Sequence, residues 1–212
     1  MEKLIFSESA HIYRTKLNMS EYKSELLDIC NKIVESQPNV KTDGFGYIMT
    51  SNNINFVGEV DIKNKLDEVI QQGINGCIEI YESENGEYNI VETDGWVNIV
   101  RTKDPVQDNF KEGKEKYHVH TEINKLSNTF EPTYTYVYYL QMPDNLSSDD
   151  GVLWFKDKEG VEYSILPEED DLIIMPADIP HAPNGAVNST KDRIVFAGNV
   201  GLKLIKKQKS LI

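Results

Sequence analysis

The stretch YHVHTE, residues 117–122, holds two of the four histidines in a chain of 212 residues. A glutamate follows at the same spacing. In a strand, residues two apart share a face, so His118, His120 and Glu122 would all point one way. At about 3.3 Å per residue the outer two lie roughly 13 Å apart. Metal–ligand bonds are only about 2 Å long, so the outer two can hardly share an ion in a regular strand. His120 can pair with either neighbour, as HxE with Glu122 or as HxH with His118. The remaining imidazoles are His11 and His181. His181 lies in DLIIMPADIPHAPNG, after an apolar strand and a proline-containing turn. His120, Glu122 and His181 would give two imidazoles and a carboxylate, a facial set that leaves open positions on a non-haem Fe(II). Arg193 opens RIVFAGNV shortly afterwards. Its planar, permanently charged fork suits a carboxylate, and such a bond contributes about 1.5–3 kcal/mol. An arginine there is what a dicarboxylate cosubstrate would need at its far end.

These side chains need a scaffold, and the sequence points to strands. From about Cys77 onward CIEIYES, YNIVET, GWVNIVR, KYHVHTEI, TYTYVYYLQM, GVLWFKD, VEYSIL, DLIIMPA and RIVFAGNV are short and rich in β-branched and aromatic residues. Gly, Pro, Asn or Asp punctuate them. Many short strands at regular spacing predict a sandwich, jelly roll or barrel. The first half mixes helices with short strands. MSEYKSELLDICNKIVESQ carries apolar residues near helical spacing, with Ser20 as its N-cap. VDIKNKLDEVIQQG repeats the pattern, with Asp61 to cap its start and Gly73 to end it. The expected fold is mainly β with helices (α+β), a jelly-roll core buttressed on one face by N-terminal helices. It forms one domain over 1–212, with the buttress at 1–90 and the catalytic core at 91–205.

Composition narrows the function classes. Apolar content of 39% and charged content of 27% are ordinary for a globular protein. No run of about 18 apolar residues is present, so no transmembrane helix is expected, and the N-terminus lacks the pattern of a signal peptide. Cys30 and Cys77 form no CxxC pair and read as reduced thiols. A cytoplasmic location follows, host cytoplasm if the source is viral. A formal net charge of −13 opposes broad binding to duplex DNA. It leaves room for a small molecule, a peptide or a nucleobase.

GKEKYHVHTE, YVYYLQ, DGVLWF, IMPADIPHAPNG and RIVFAGN together resemble the Fe(II)/2-oxoglutarate-dependent oxygenases. The resemblance is to the prolyl-hydroxylase-like branch and to small oxygenases of bacteria and their phages, and it covers roughly 96–200. DGWVNI resembles the tryptophan–asparagine strand before the metal motif of the small members, and Gly113 and Tyr117 fit the glycine and tyrosine that precede H-x-D. The resemblance implies a double-stranded β-helix, Fe(II) as metal and 2-oxoglutarate as cosubstrate. It implies His120, Glu122 and His181 as metal ligands and catalytic residues. It further implies that Arg193 and Tyr139 bind the C5 carboxylate, and that Leu153 forms an apolar wall, with Phe110 or Trp96 as another. The acid here is Glu rather than the usual Asp, so its longer arm must fold back to reach the iron.

Other readings compete. A cupin-like enzyme would hold its metal with His118, His120 and His181 and use no 2-oxoglutarate. A non-catalytic jelly-roll binding or virion module would make its histidines ordinary strand residues. His118 alone reads as a supporting group, and Trp154 and Phe155 as core. The alternation of Tyr134, Tyr136 and Tyr138 with Thr135, Val137 and Tyr139 reads as a strand with a wet side. The acidic run EGVEYSILPEEDD reads as a solvated turn rather than a metal site. His11 receives no role. Segments 39–55 and 103–116 are expected to shape substrate choice, and the N-terminal region can also carry a homodimer contact.

Overall fold

The computed structural model describes residues 1–36, 41–42, 47–49, 60–100, 117–121, 133–146, 150–186 and 189–207. Glu122, Phe110 and segment 103–116 lie outside them. So does all of 39–55 except its two short strands.

The chain runs β1 (Glu2–Ser7), β2 (Ala10–Lys16), α1 (Lys23–Ser36), β3 (Lys41–Thr42), β4 (Tyr47–Met49), α2 (Val60–Asn85), β5 (Gly86–Val100), β6 (Tyr134–Gln141), β7 (Leu153–Lys156), β8 (Glu162–Ile165), β9 (Asp171–Pro176), β10 (His181–Pro183) and β11 (Arg193–Lys207). Among the described residues these make an eight-stranded sheet, ordered β1-β2-β9-β6-β11-β5-β4-β3. A three-stranded sheet is ordered β10-β7-β8. The paired strands are antiparallel. This is the mainly β architecture with helices that the sequence predicts, a jelly roll with helical support.

Alternation along the strands separates two faces of the large sheet. Tyr134, Tyr136, Tyr138 and Leu140 of β6 join Leu172 and Ile174 of β9 and Ile194 and Phe196 of β11 in one cluster. Leu26, Ile29 and Cys30 of α1 and Leu66, Ile70, Ile74 and Cys77 of α2 cover it. Val137, Tyr139, Ile173, Met175, Val195 and Ala197 point the other way, with Trp96 and Leu153. Strand β6 therefore has no wet side, because Tyr134 through Leu140 are all buried. The helices cover one face and the site side covers the other.

Several local expectations are corrected. CIEIYES is not a strand, because α2 continues through it to Asn85. Gly73 does not end the helix. A Cβ there would collide with the Leu172 side chain, so the glycine lets α2 lie close against β9. Asp61 falls inside α2 rather than before it. Ser20 begins a short 3-10 turn (Ser20–Tyr22) that leads into α1, and Met19, which precedes that turn, makes no side-chain capping bond. YNIVET and GWVNIVR form one strand, β5, paired along its length with β11. The hairpin of β1 and β2, within the segment assigned to the buttress, supplies two strands of the large sheet.

The acidic run before β9 is not a solvated turn throughout. Asp171 is fully buried and takes Arg14 Nη2 at 2.6 Å and Lys16 Nζ at 3.1 Å. Asp170, with φ +73°, accepts the Met19 N–H at 3.0 Å and the Tyr138 hydroxyl at 3.0 Å. The run fastens β2, the approach to α1 and β6 to one turn.

Candidate metal centre

Among the described residues of KYHVHTEI, 117–121, no regular strand forms. His118 forms an isolated antiparallel bridge with His181, in which the two residues exchange both backbone hydrogen bonds, at 3.1 and 3.0 Å. His120 instead gives its N–H to Ala177 O at 2.9 Å, and a turn begins there.

This backbone arrangement brings three imidazoles together. One ligand atom from each of His118, His120 and His181 lies within 4.8 Å of the others. The rings of His118 and His181 are 4.4 Å apart between centroids. His120 stacks almost parallel on His181 at 5.1 Å, and Trp96 also stacks with His120, at 5.7 Å. His120 and His181 are buried, whereas His118 is exposed. A strand partner for His118 was not foreseeable from HxH alone, because it depends on which distant segment lies alongside.

The electrostatics favour neutral His120 and His181. Burial, and secondarily His118, push the His120 pKa down to about 3, against a hydrogen bond with Asn199. His181 is also held well below the usual histidine value, first by burial and then by His118 and His120. The charge of Arg193 adds to this. His181 Nδ1 lies 3.1 Å from Ile179 O. A carbonyl only accepts, so the proton sits on Nδ1 and Nε2 keeps its lone pair. That supporting contact orients a metal-binding imidazole. His120 Nδ1 is buried without a hydrogen-bond partner among the described residues. Close, neutral nitrogen donors of this kind fit a divalent transition metal.

At the start of β11 stands a buried cation. Arg193 is 2% exposed. Its Nη2 donates to Tyr139 Oη at 3.3 Å and its guanidinium carbon lies 5.0 Å from that ring's centroid. Tyr139 is fully buried, and burial raises its pKa while Arg193 opposes the rise. Among the described residues no carboxylate pairs with Arg193. A buried charge without a counter-ion is costly unless a ligand completes it. Leu153 is buried in the same inner-face cluster as Tyr139 and Trp96.

Of the residues singled out from sequence, His120, His181 and the alternative His118 converge, and Arg193, Tyr139 and Leu153 gather on the same inner face. Glu122 lies outside the described residues. Asn199 was missed. Its signal was present, since it stands six residues after Arg193 on one strand and therefore on the same face. Tyr117 holds the near end of the histidine segment. Its hydroxyl meets Glu162 Oε1 at 3.1 Å, and Lys156 Nζ lies 4.0 Å over its ring. Phe155 is core as expected, fully buried, and Trp154 is half-buried. Cys30 and Cys77 are free, buried thiols raised to about 12 by burial. No helix among the described residues is long and apolar enough to cross a membrane.

No family model matches the chain, and neither does any curated protein. Solved structures do. A prolyl-4-hydroxylase from Pseudomonas putida aligns with TM-score 0.57 at 13% identity, over 89% of this chain and 91% of that one. A prolyl hydroxylase from Trichoplax adhaerens, in complex with a hypoxia inducible factor oxygen degradation domain peptide fragment, aligns with TM-score 0.55 at 15% identity, over 89% and 82%. HygX from Streptomyces hygroscopicus, with nickel and 2-oxoglutarate bound, aligns with TM-score 0.54 at 12% identity, over 90% and 82%. At such identities the likeness establishes the fold, the jelly roll of 2-oxoglutarate oxygenases.

Proposed function

We propose that this protein is an Fe(II)- and 2-oxoglutarate-dependent oxygenase that hydroxylates a C–H bond of its substrate. The observation that carries the reading is the combination on one inner face. The clustered imidazoles of His118, His120 and His181 stand near a buried guanidinium that, among the described residues, lacks a counter-ion. The fold shared with the nickel- and 2-oxoglutarate-bound structure supports it.

His120 and His181 would hold the metal, with Glu122 as third ligand. When bound, the metal and cosubstrate together supply the oxidising chemistry. In balance, one atom of O2 enters the product hydroxyl and the other enters succinate, while the first carboxylate of 2-oxoglutarate leaves as CO2. The chain's own contribution is positional. Arg193 would fix the distal carboxylate of 2-oxoglutarate, with the Tyr139 hydroxyl as a second donor. Leu153 and Val195 would keep that pocket apolar, which strengthens a charge-assisted bond by excluding water. Trp96 would brace the His120 ring. The test is oxygen uptake with Fe(II) and 2-oxoglutarate, comparing wild type with His181→Ala. Uptake that depends on both additions and is lost in the variant is expected. Equal uptake in the two proteins refutes the proposal.

One observation favours a second reading. The three imidazoles are already within reach of one ion, so His118 can replace Glu122 as third ligand, as in a cupin-like site that needs no 2-oxoglutarate. Metal titration of Glu122→Ala and His118→Ala separates the two. Affinity kept in the first variant and lost in the second selects the three-histidine site. A thermal-shift titration that shows no response to any divalent metal or to 2-oxoglutarate would leave a non-catalytic jelly roll.

A further inference from the structure

An imidazole that binds a metal through one nitrogen is held in place by a partner on the other. His181 has that partner in the backbone, since its Nδ1 donates to Ile179 O at 3.1 Å. For His120 the backbone offers no equivalent among the described residues, and its Nδ1 is buried with no hydrogen-bond partner in line. The group beside this ring is the Asn199 side chain, which bears on His120 through a side-chain hydrogen bond.

The fold fixes that amide from several directions. Asn199 lies on β11 two residues past Ala197, so both belong to the inner face. Ala197 is paired with Trp96 of β5, and Trp96 stacks with His120 at 5.7 Å. The backbone of the histidine segment reaches the same place by another route. The N–H of His120 goes to Ala177 O at 2.9 Å, that of Ala177 to Thr133 O at 3.0 Å, and that of Thr133 to Val200 O at 2.8 Å. These bonds lace four segments together next to Asn199. Thr135, its register partner on β6, also donates its hydroxyl to Gly198 O at 2.9 Å. Asn199 is 3% exposed, so water competes little for its amide. A polar side chain so deeply buried is costly unless it is hydrogen-bonded. An amide offers one acceptor and two donors, and its broad χ2 lets it present either to a neighbour.

We propose that Asn199 is a positioning residue of the metal centre: its Oδ1 accepts the N–H of His120 and so aims the opposite ring nitrogen at the ion. It does for His120 what Ile179 O does for His181. The proposal rests on the metal-binding part of the reading above, and it holds whether Glu122 or His118 is the third ligand. Without its acceptor the ring can turn, or carry its proton on the nitrogen that faces the metal, and in neither state does it serve as a ligand.

The experiment measures nickel binding by calorimetry in full-length wild type, Asn199→Leu and Asn199→Asp. Leucine keeps the shape of the side chain and removes the acceptor, whereas aspartate keeps the acceptor and strengthens it. Nickel affinity is expected to fall about 10–100-fold in Asn199→Leu, the cost of losing a supporting partner. It should stay at or above the wild-type value in Asn199→Asp. The thermal midpoint of metal-free Asn199→Leu should hold. A merely structural asparagine would give the converse, a lower midpoint with affinity intact, and that result overturns the proposal. So does an Asn199→Asp protein that binds nickel as weakly as Asn199→Leu. Should Asn199→Leu not fold, Asn199→Ala makes the same comparison. Wild type that binds no nickel overturns the metal centre and this assignment together, whereas wild-type binding that Asn199→Leu leaves unchanged overturns the assignment alone.

Discussion

The two faces of the large sheet are built from the same strands by alternation, yet they solve opposite problems. On the helix side, Tyr134, Tyr136, Tyr138, Leu172 and Phe196 meet α1 and α2 in an apolar cluster. The polar handle of Tyr138 is satisfied by Asp170. On the inner side, the next residues along include a buried guanidinium that, among the described residues, makes one side-chain hydrogen bond, to Tyr139, and buried imidazoles stacked with Trp96. The helix side is mostly apolar, whereas the inner side carries charged and ligand-type groups whose desolvation is costly. A buried polar group without its partner costs free energy, so the charged and imidazole groups of the inner face, set against the apolar helix side, are the functional signal.

Substitutions on the two faces should therefore separate stability from ligand binding. The largest effect is expected for His181→Ala. Divalent-metal affinity, followed by calorimetry, should fall by more than the roughly 10–100-fold that losing a supporting group costs. The thermal midpoint of metal-free protein should hold or rise. Loss of fold instead would erase the contrast between the faces. Next comes Leu172→Ala on the helix side. It removes a fully buried side chain that packs against Gly73 of α2 and should cost about 2–5 kcal/mol in denaturant unfolding. Its metal and 2-oxoglutarate affinities should match wild type.

Arg193→Leu should abolish the thermal shift given by 2-oxoglutarate, a loss of about 1.5–3 kcal/mol of binding. The ligand-free protein should be no less stable than wild type, because a buried charge with no counter-ion among the described residues has been replaced by an apolar group. A large drop in stability without ligand would mean that the guanidinium already has its partner. The smallest effect concerns the acidic clamp. Burial would raise the Asp171 pKa, but the hydrogen bonds from Arg14, Glu168 N–H and Lys16 prevail and lower it. Its folded value thus lies below its unfolded value of about 3.9. The stability it contributes is fully present above the unfolded value and is lost as pH falls through the folded one. Unfolding curves of wild type and Asp171→Asn should therefore converge at the acid end and diverge above about pH 4. Curves that stay parallel throughout would remove Asp171 from the clamp.

Particular elements show how far residue patterns carried. Alternation in TYTYVYYLQM and the apolar run of DLIIMPA placed β6 and β9, and the alternation set Tyr139 apart from Tyr134, Tyr136 and Tyr138. The wet side assigned to β6 failed, because alternation reports two faces but not what covers each. CIEIYES reads as a strand by its β-branched content, yet it lies within α2. The helix continues because Gly73 permits contact with Leu172, a residue about a hundred positions away in the chain. The order of His120, His181 and Arg193 was visible in the chain and matched a known arrangement. The closeness of His118 to His181 was not, since the strand pairing that creates it joins segments on either side of four intervening strands.

The chain alone specified which residue types could bind a metal and a carboxylate, which strands were two-faced, and that helices would lie beside a sheet. Those properties follow from side-chain chemistry and short periodicity, which are local. Folding settled which imidazoles meet, which cation is buried, and where a helix passes a strand closely enough to need glycine. Those depend on desolvation and on contacts between residues far apart in sequence, and neither is set by the composition of any single segment.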